Sequence, residues 1–189
     1  MKKKISAILL ALVMALCLLP AAAFADGTAA ATCGDDSYPT LADAVAAEKD
    51  NKGAVIVLQK DVAEKITVPA GADLVLDLNG HELKVAAGTP VTVNGGKLTV
   101  KDSTAVQDCD YSGEVPAAQY KGGAIVAVQD GGRDKANGVQ VTNGGEFTLL
   151  SGKVSAQNIG VSVVGNIAAG ADREAIASKA YIKGGYVLC

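Results

Sequence analysis

Apolar and polar residues alternate along residues 138–160 in short runs separated by turn chemistry. Val139 and Val141 flank Gln140, Phe147 and Leu149 flank Thr148, and Val154 opens a third run. A period of two is the mark of a half-buried strand. Asn143-Gly144-Gly145 and Ser151-Gly152 divide the runs, and such residues reach the left-handed backbone that a tight corner needs. The phrase restarts at Gly160-Val161-Ser162-Val163, echoing Gly138-Val139-Gln140-Val141 about 22 residues earlier, within the range of repeat architectures. Three short strands in such a repeat describe one coil of a parallel β-helix.

A second copy of the phrase precedes the first. Val91-Thr92-Val93-Asn94-Gly95-Gly96-Lys97-Leu98 matches the stretch that begins at Val139, which carries one extra residue. Weaker Gly-Gly corners stand at Asp130-Gly131-Gly132 and Lys183-Gly184-Gly185. Upstream, residues 54–58 form a continuous apolar run, Ile66 and Val68 alternate, and Leu74, Leu76 and Leu78 alternate with Val75 and Asp77. Asn79-Gly80 then leads into Leu83 and Val85; between alternating runs that pair ordinarily marks an antiparallel hairpin, although it also suits a corner. Counted from Ala54, about six coils of roughly 22 residues fit the chain.

One helix is predicted in the mature chain, over residues 40–50. Thr40 is its N-cap with Asp43 three positions on, and Leu41, Ala44 and Val45, with Ala47, form its apolar stripe. Placed before the first strand, it is suited to cap an open sheet edge. The stretch 103–123 fits no strand pattern and reads as an inserted loop; smaller excursions cover 131–137 and 166–178. The chain ends on Val187-Leu188-Cys189, apolar and without a polar cap. That ending leads to two expectations: a truncated protein, or self-association through an uncapped C-terminal edge.

Composition narrows the class further. The chain of 189 residues is 49% hydrophobic but only 4% aromatic, with 22 glycines and no tryptophan, which suits a core of stacked aliphatic side chains. A net charge of -3 offers no basic field for nucleic acid. Lys2, Lys3 and Lys4, an apolar run over 5–19, and Ala23-Phe24-Ala25 read as a signal peptide of residues 1–25. Export is therefore expected, with a spacer at 26–37, a β-helix domain at 38–189, and no membrane-spanning segment in the mature chain. Cleavage leaves Cys33, Cys109 and Cys189, an odd number without zinc-type spacing. Either one disulfide forms or all three stay free thiols, and the second reading is preferred.

From Tyr38-Pro39-Thr40-Leu41-Ala42-Asp43-Ala44-Val45, through Leu76-Asp77-Leu78-Asn79-Gly80-His81, to the Asn-Gly-Gly phrases, the chain resembles the right-handed parallel β-helix proteins of the pectate-lyase-like superfamily. It looks in particular like exported β-helix repeat proteins of gut-dwelling Gram-positive bacteria. The resemblance implies an all-β, right-handed parallel β-helix solenoid with an N-terminal capping helix, and a place at or beyond the cell surface.

Candidate chemistry is sparse. A polysaccharide lyase of this architecture holds calcium on carboxylates and removes a proton with a basic residue. Asp108 and Asp110 lack the rest of a calcium loop, and Arg133 and Arg173, the only arginines, lie in predicted loops. His81, the only histidine, reads better as a solvent-facing residue than as a general base. No catalytic residue, metal site or cofactor is assigned, and calcium has no support. Tyr111 and Tyr120 in the inserted loop offer aromatic faces to sugar rings, although anchoring the loop is the simpler role. Asp108, Asp110, Tyr111 and Tyr120 are thus the candidate binding residues. The expected function is a secreted or surface module, non-catalytic, in adhesion or binding of carbohydrate or host surface. The alternatives are a polysaccharide lyase or hydrolase and an N-terminal fragment of a longer adhesin.

Overall fold

A computed structural model describes residues 29–104, 122–128, 136–165 and 177–189. The segment read as a signal peptide lies outside them. Two short strands, β1 (Ala31–Cys33) and β2 (Asp36–Tyr38), precede the helix α1 (Leu41–Glu48). Thr40 caps α1: its hydroxyl accepts the Asp43 amide at 3.0 Å and donates to the Asp43 carboxylate at 2.6 Å. Glu64, from a later turn, accepts the amides of Leu41 and Ala42, so a carboxylate meets the positive end of the helix dipole.

The buried stripe of α1 is Leu41, Ala44, Val45 and Glu48, whereas Ala47 is exposed. Glu48 tolerates burial because Tyr38 donates its hydroxyl to one oxygen at 2.5 Å and Asn51 its amide to the other at 2.9 Å. The Tyr38 bond, then that of Asn51, hold the Glu48 carboxyl below its ordinary value despite burial. The same Glu48 bond drives the Tyr38 phenol well above its own.

Among the described residues, thirteen strands follow α1. They are β3 (Ala54–Leu58), β4 (Ile66–Val68), β5 (Asp73–Asp77), β6 (Glu82–Val85), β7 (Val91–Asn94) and β8 (Lys97–Lys101). Then come β9 (Ala124–Ala127), β10 (Asn137–Thr142), β11 (Glu146–Leu149), β12 (Lys153–Ala156), β13 (Ile159–Val163), β14 (Lys179–Ile182) and β15 (Tyr186–Leu188). They form three sheets, ordered β14-β11-β8-β5-β3-β1-β2, β13-β10-β7-β4 and β15-β12-β9-β6. All pairs are parallel except those made by β1, which runs antiparallel to both β2 and β3.

These findings correct the expectation of a right-handed parallel β-helix solenoid of about six coils. The fold is all-β with one helix among the described residues, in three mostly parallel sheets without solenoid closure; the largest is mixed because of β1 and β2. After β3 the strands make four successive triplets, one strand per sheet, rather than six coils. The uniform repeat overcounts because neighbouring triplets are unequally spaced in sequence. Asn137 and Asn158 meet across a separation of 21 residues, whereas Asn94 and Asn143 meet across 49.

The repeated phrases do become neighbours. Val91 lies beside Val139, which lies beside Val161, and Lys97 lies beside Glu146. The extra residue of the later phrase is taken up in the corner between β10 and β11. Asn79-Gly80 makes no hairpin, since β5 and β6 belong to different sheets. Its positive φ angles, 46° and 82°, turn a corner instead.

Inward residues stack in columns across the triplets. Val68, Val93 and Val141 form one, Ile56, Leu76, Val100 and Leu149 a second, and Leu83, Ile125 and Val154 a third. All are buried, and each such side chain contributes about 1.5–3 kcal/mol relative to an exposed one. On the outer surface Asp73, Lys97, Glu146 and Lys179 alternate in sign in register. Exposed pairs of this kind are worth at most about 1 kcal/mol each.

Candidate functional site

Asp108, Cys109, Asp110, Tyr111 and Tyr120, with Arg133 and Arg173, lie outside the described residues. Cys33, in β1, and Cys189, after β15, are free thiols. They belong to opposite ends of the strand order, separated by about five strand spacings of roughly 4.8 Å, well beyond the reach of a disulfide. Burial, followed by the charge of Glu48, pushes the Cys33 thiol up.

His81 precedes β6, with its Nδ1 3.3 Å from an Asp61 oxygen. That same oxygen accepts the Glu82 amide at 2.9 Å. Both side chains reach solvent, at 32% and 74% exposure, so water competes for the contact and it fastens a turn rather than arming a base.

The two most deeply placed carboxylates were not singled out by the sequence. Asp77 and Asp102 are each about 5% exposed or less. Asp77 Oδ1 accepts the amides of Asn79 at 3.0 Å and Ser103 at 2.9 Å, and Oδ2 meets Lys101 Nζ at 3.1 Å. Asp102 Oδ1 accepts the amides of Gly80 at 2.9 Å and Thr104 at 3.1 Å and the Thr104 hydroxyl at 2.8 Å; Oδ2 accepts the Gly123 amide. Burial raises both carboxyls, but these donors outweigh it and hold both below the ordinary carboxylate range. Carboxylates so engaged tie successive corners together. Asn79 extends the line to the Leu58 carbonyl, and Ser151 extends it to the Asp102 amide.

The arrangement best suited to a ligand is the outer face of the sheet β13-β10-β7-β4. Thr67, Thr92, Gln140 and Ser162 stand in register there, one per strand. Thr67 is exposed and the other three are half-buried. Beside this rank Asn94 and Thr142 are paired neighbours, and the Asn143 amide donates to Asn94 Oδ1 at 2.6 Å. The face thus carries neutral hydroxyl and amide groups repeating about every 4.8 Å. These residues were legible only as the polar halves of the alternating runs, because no motif marks them.

Among the described residues no group of three or more His, Cys, Asp or Glu side chains comes together to hold a metal, and no helix is long and apolar enough to cross a membrane. Compared with protein-family models, with curated proteins and with solved structures, the chain shows no match.

Proposed function

We propose that this chain is a secreted or cell-surface module that binds neutral glycans without catalysis, in adhesion to carbohydrate or host surfaces. The observation that carries the reading is the in-register rank of Thr67, Thr92, Gln140 and Ser162 on a regular sheet face. Hydroxyl and amide side chains both donate and accept, as sugar hydroxyls do, and a periodic rank meets a polymer at several points at once. The two buried carboxylates support a non-catalytic role, because their oxygens are engaged by backbone amides, a hydroxyl and a lysine. The export expected from the N-terminal segment would bring the face to extracellular ligands.

A glycan array tests this, read with and without calcium beside an assay for unsaturated products from acidic polysaccharides. Binding to neutral glycans, weakened at least tenfold by Thr92→Ala with Gln140→Ala, is the expected result. Loss on Tyr111→Ala with Tyr120→Ala, and not on the sheet pair, would move the site to the inserted loop. Calcium-dependent turnover would replace the proposal with a polysaccharide-active enzyme, and no binding at all would end it.

A further inference from the structure

Four Asn-Gly pairs lie in the described residues: Asn79-Gly80, Asn94-Gly95, Asn137-Gly138 and Asn143-Gly144. Such a pair is chemically unstable on its own, because glycine sets no side chain against the approach of its nitrogen to the preceding side-chain amide. What the fold does to that nitrogen and that amide decides which pair reacts.

Three of the pairs are held. The Gly80 amide is bound by the Asp102 carboxylate at 2.9 Å, while the Asn79 side chain donates to the Leu58 carbonyl at 3.0 Å. The Gly95 amide donates to the Thr142 carbonyl at 3.0 Å, a backbone bond between neighbouring triplets, and Asn94 Oδ1 accepts from both Asn143 and Thr142. Gly138 is buried within β10, where a Cβ would stand 2.6 Å from the Gly160 carbonyl oxygen, so that pair has no room to close a ring.

Asn143-Gly144 is the exception. Asn143 is exposed in the corner between β10 and β11, and the two residues turn it at φ angles of 53° and 78°. The Gly144 amide has only a side-chain hydroxyl as its acceptor, Ser178 Oγ at 3.2 Å, and that hydroxyl donates in turn to the Val164 carbonyl at 3.1 Å. Among the described residues the Asn143 side chain is fixed through one bond, from Nδ2 to Asn94 Oδ1 at 2.6 Å.

We propose that Asn143 is a site of spontaneous deamidation that loosens the corner between β10 and β11. The Gly144 nitrogen attacks Asn143 Cγ, and its proton passes through solvent to Nδ2. The Cγ–Nδ2 bond breaks, Nδ2 leaves as ammonia, and a cyclic imide closes. Water, the one co-reactant, then opens the imide at either carbonyl, which leaves an aspartate or an isoaspartate at position 143. The product no longer donates to Asn94 Oδ1 and sets a charged acceptor against it. The iso-linked form also adds a backbone carbon to a corner where a Cβ on Gly145 would already stand 2.6 Å from the Val93 carbonyl oxygen. A negative charge appears on the face that carries Thr92 and Gln140.

The test is timed incubation of the folded chain in mildly alkaline buffer. Peptide mapping by mass spectrometry then reads amide-to-acid exchange at each asparagine. Asn143 is expected to convert at least about tenfold faster than Asn79, Asn94 or Asn137. In concentrated urea, where no fold protects any pair, the four rates should converge. Ser178→Ala removes the acceptor from the Gly144 amide and should speed conversion at Asn143 alone. The converted fraction, separated from the parent by its added charge, should unfold at a lower urea concentration. Equal rates for the four pairs in the folded chain, a faster rate at one of the other three, or an Asn143 rate indifferent to Ser178→Ala would overturn the proposal. So would a converted fraction as stable as the parent.

Discussion

The carboxylate of Asp102 accepts the backbone amide of Gly80 at 2.9 Å, across 22 residues of sequence. The bond joins the corner after β8 to the corner after β5, and one carboxylate serves further donors on Thr104 and Gly123. Replacing Asp102 by Ala would strip several buried or half-buried donors of their acceptor at once. Each such donor costs about 1–3 kcal/mol, so Asp102→Ala is expected to destabilise the protein by about 3 kcal/mol or more. Asp102→Asn, which keeps an acceptor oxygen but loses the charge, should fall between. Urea midpoints of the three proteins check the order, and an unchanged midpoint for the alanine variant would refute the role assigned here.

The same carboxylates set the acid limit. Burial lifts Asp77 and Asp102, but the amide donors, with Lys101 at Asp77, prevail, so both folded pKa values lie below those of the unfolded chain. A depressed carboxylate contributes stability that is complete above the unfolded value, about 3.9, and is lost as pH falls through the folded value. Stability on this account is level from neutral pH down to about pH 5 and falls steeply below about pH 4. Unfolding by urea between pH 2 and 7 reads it. In Asp77→Asn and Asp102→Asn the acid limb should be shallower, since one titrating group has been removed from each.

Corner glycines bear on the repeat in a different way. A Cβ on Gly145 would stand 2.6 Å from the Val93 carbonyl oxygen and 3.0 Å from that of Thr142. Both obstacles are backbone, Val93 in the preceding triplet and Thr142 in the same one, so neither can swing aside. Gly145→Ala is therefore expected to cost about 2 kcal/mol or more. Gly34→Ala meets open space at a φ of +57°, and should cost only about 1 kcal/mol of backbone strain. Similar losses at the two sites, in thermal or urea unfolding, would show that the close approach at Gly145 does not constrain the corner.

The strands were legible because burial on one face forces the two-residue alternation that Val139-Gln140-Val141 displays, and the Gly-Gly corners were legible because so few residues reach their backbone angles. Sheet membership was harder. Asn79-Gly80 has the backbone of a hairpin turn, and only the burial of Leu83 beside Ile125 shows that the chain has crossed into another sheet. Asp102 gave no signal, since its partners at Gly80 and Gly123 are remote in sequence. Helical spacing points to Ala47 rather than Glu48 on the buried stripe, because spacing alone does not reveal that Tyr38 and Asn51 satisfy a buried carboxylate. The rank from Thr67 to Ser162 exists only once the register aligns four strands.

Leu149 and Ile182 provide the sharpest contrast within one column. They are directly paired across β11 and β14, both aliphatic and both pointing inward, yet Leu149 is fully buried while Ile182 is half exposed. Truncation at a buried site removes transfer energy and leaves a cavity; at an exposed site solvent fills the space. Leu149→Ala is expected to cost about 3 kcal/mol, whereas Ile182→Ala should cost about 1 kcal/mol or less in dilute solution. Urea unfolding of both variants beside the parent chain in dilute solution measures the two penalties. Equal penalties at low concentration would mean that Ile182 is covered within the single chain.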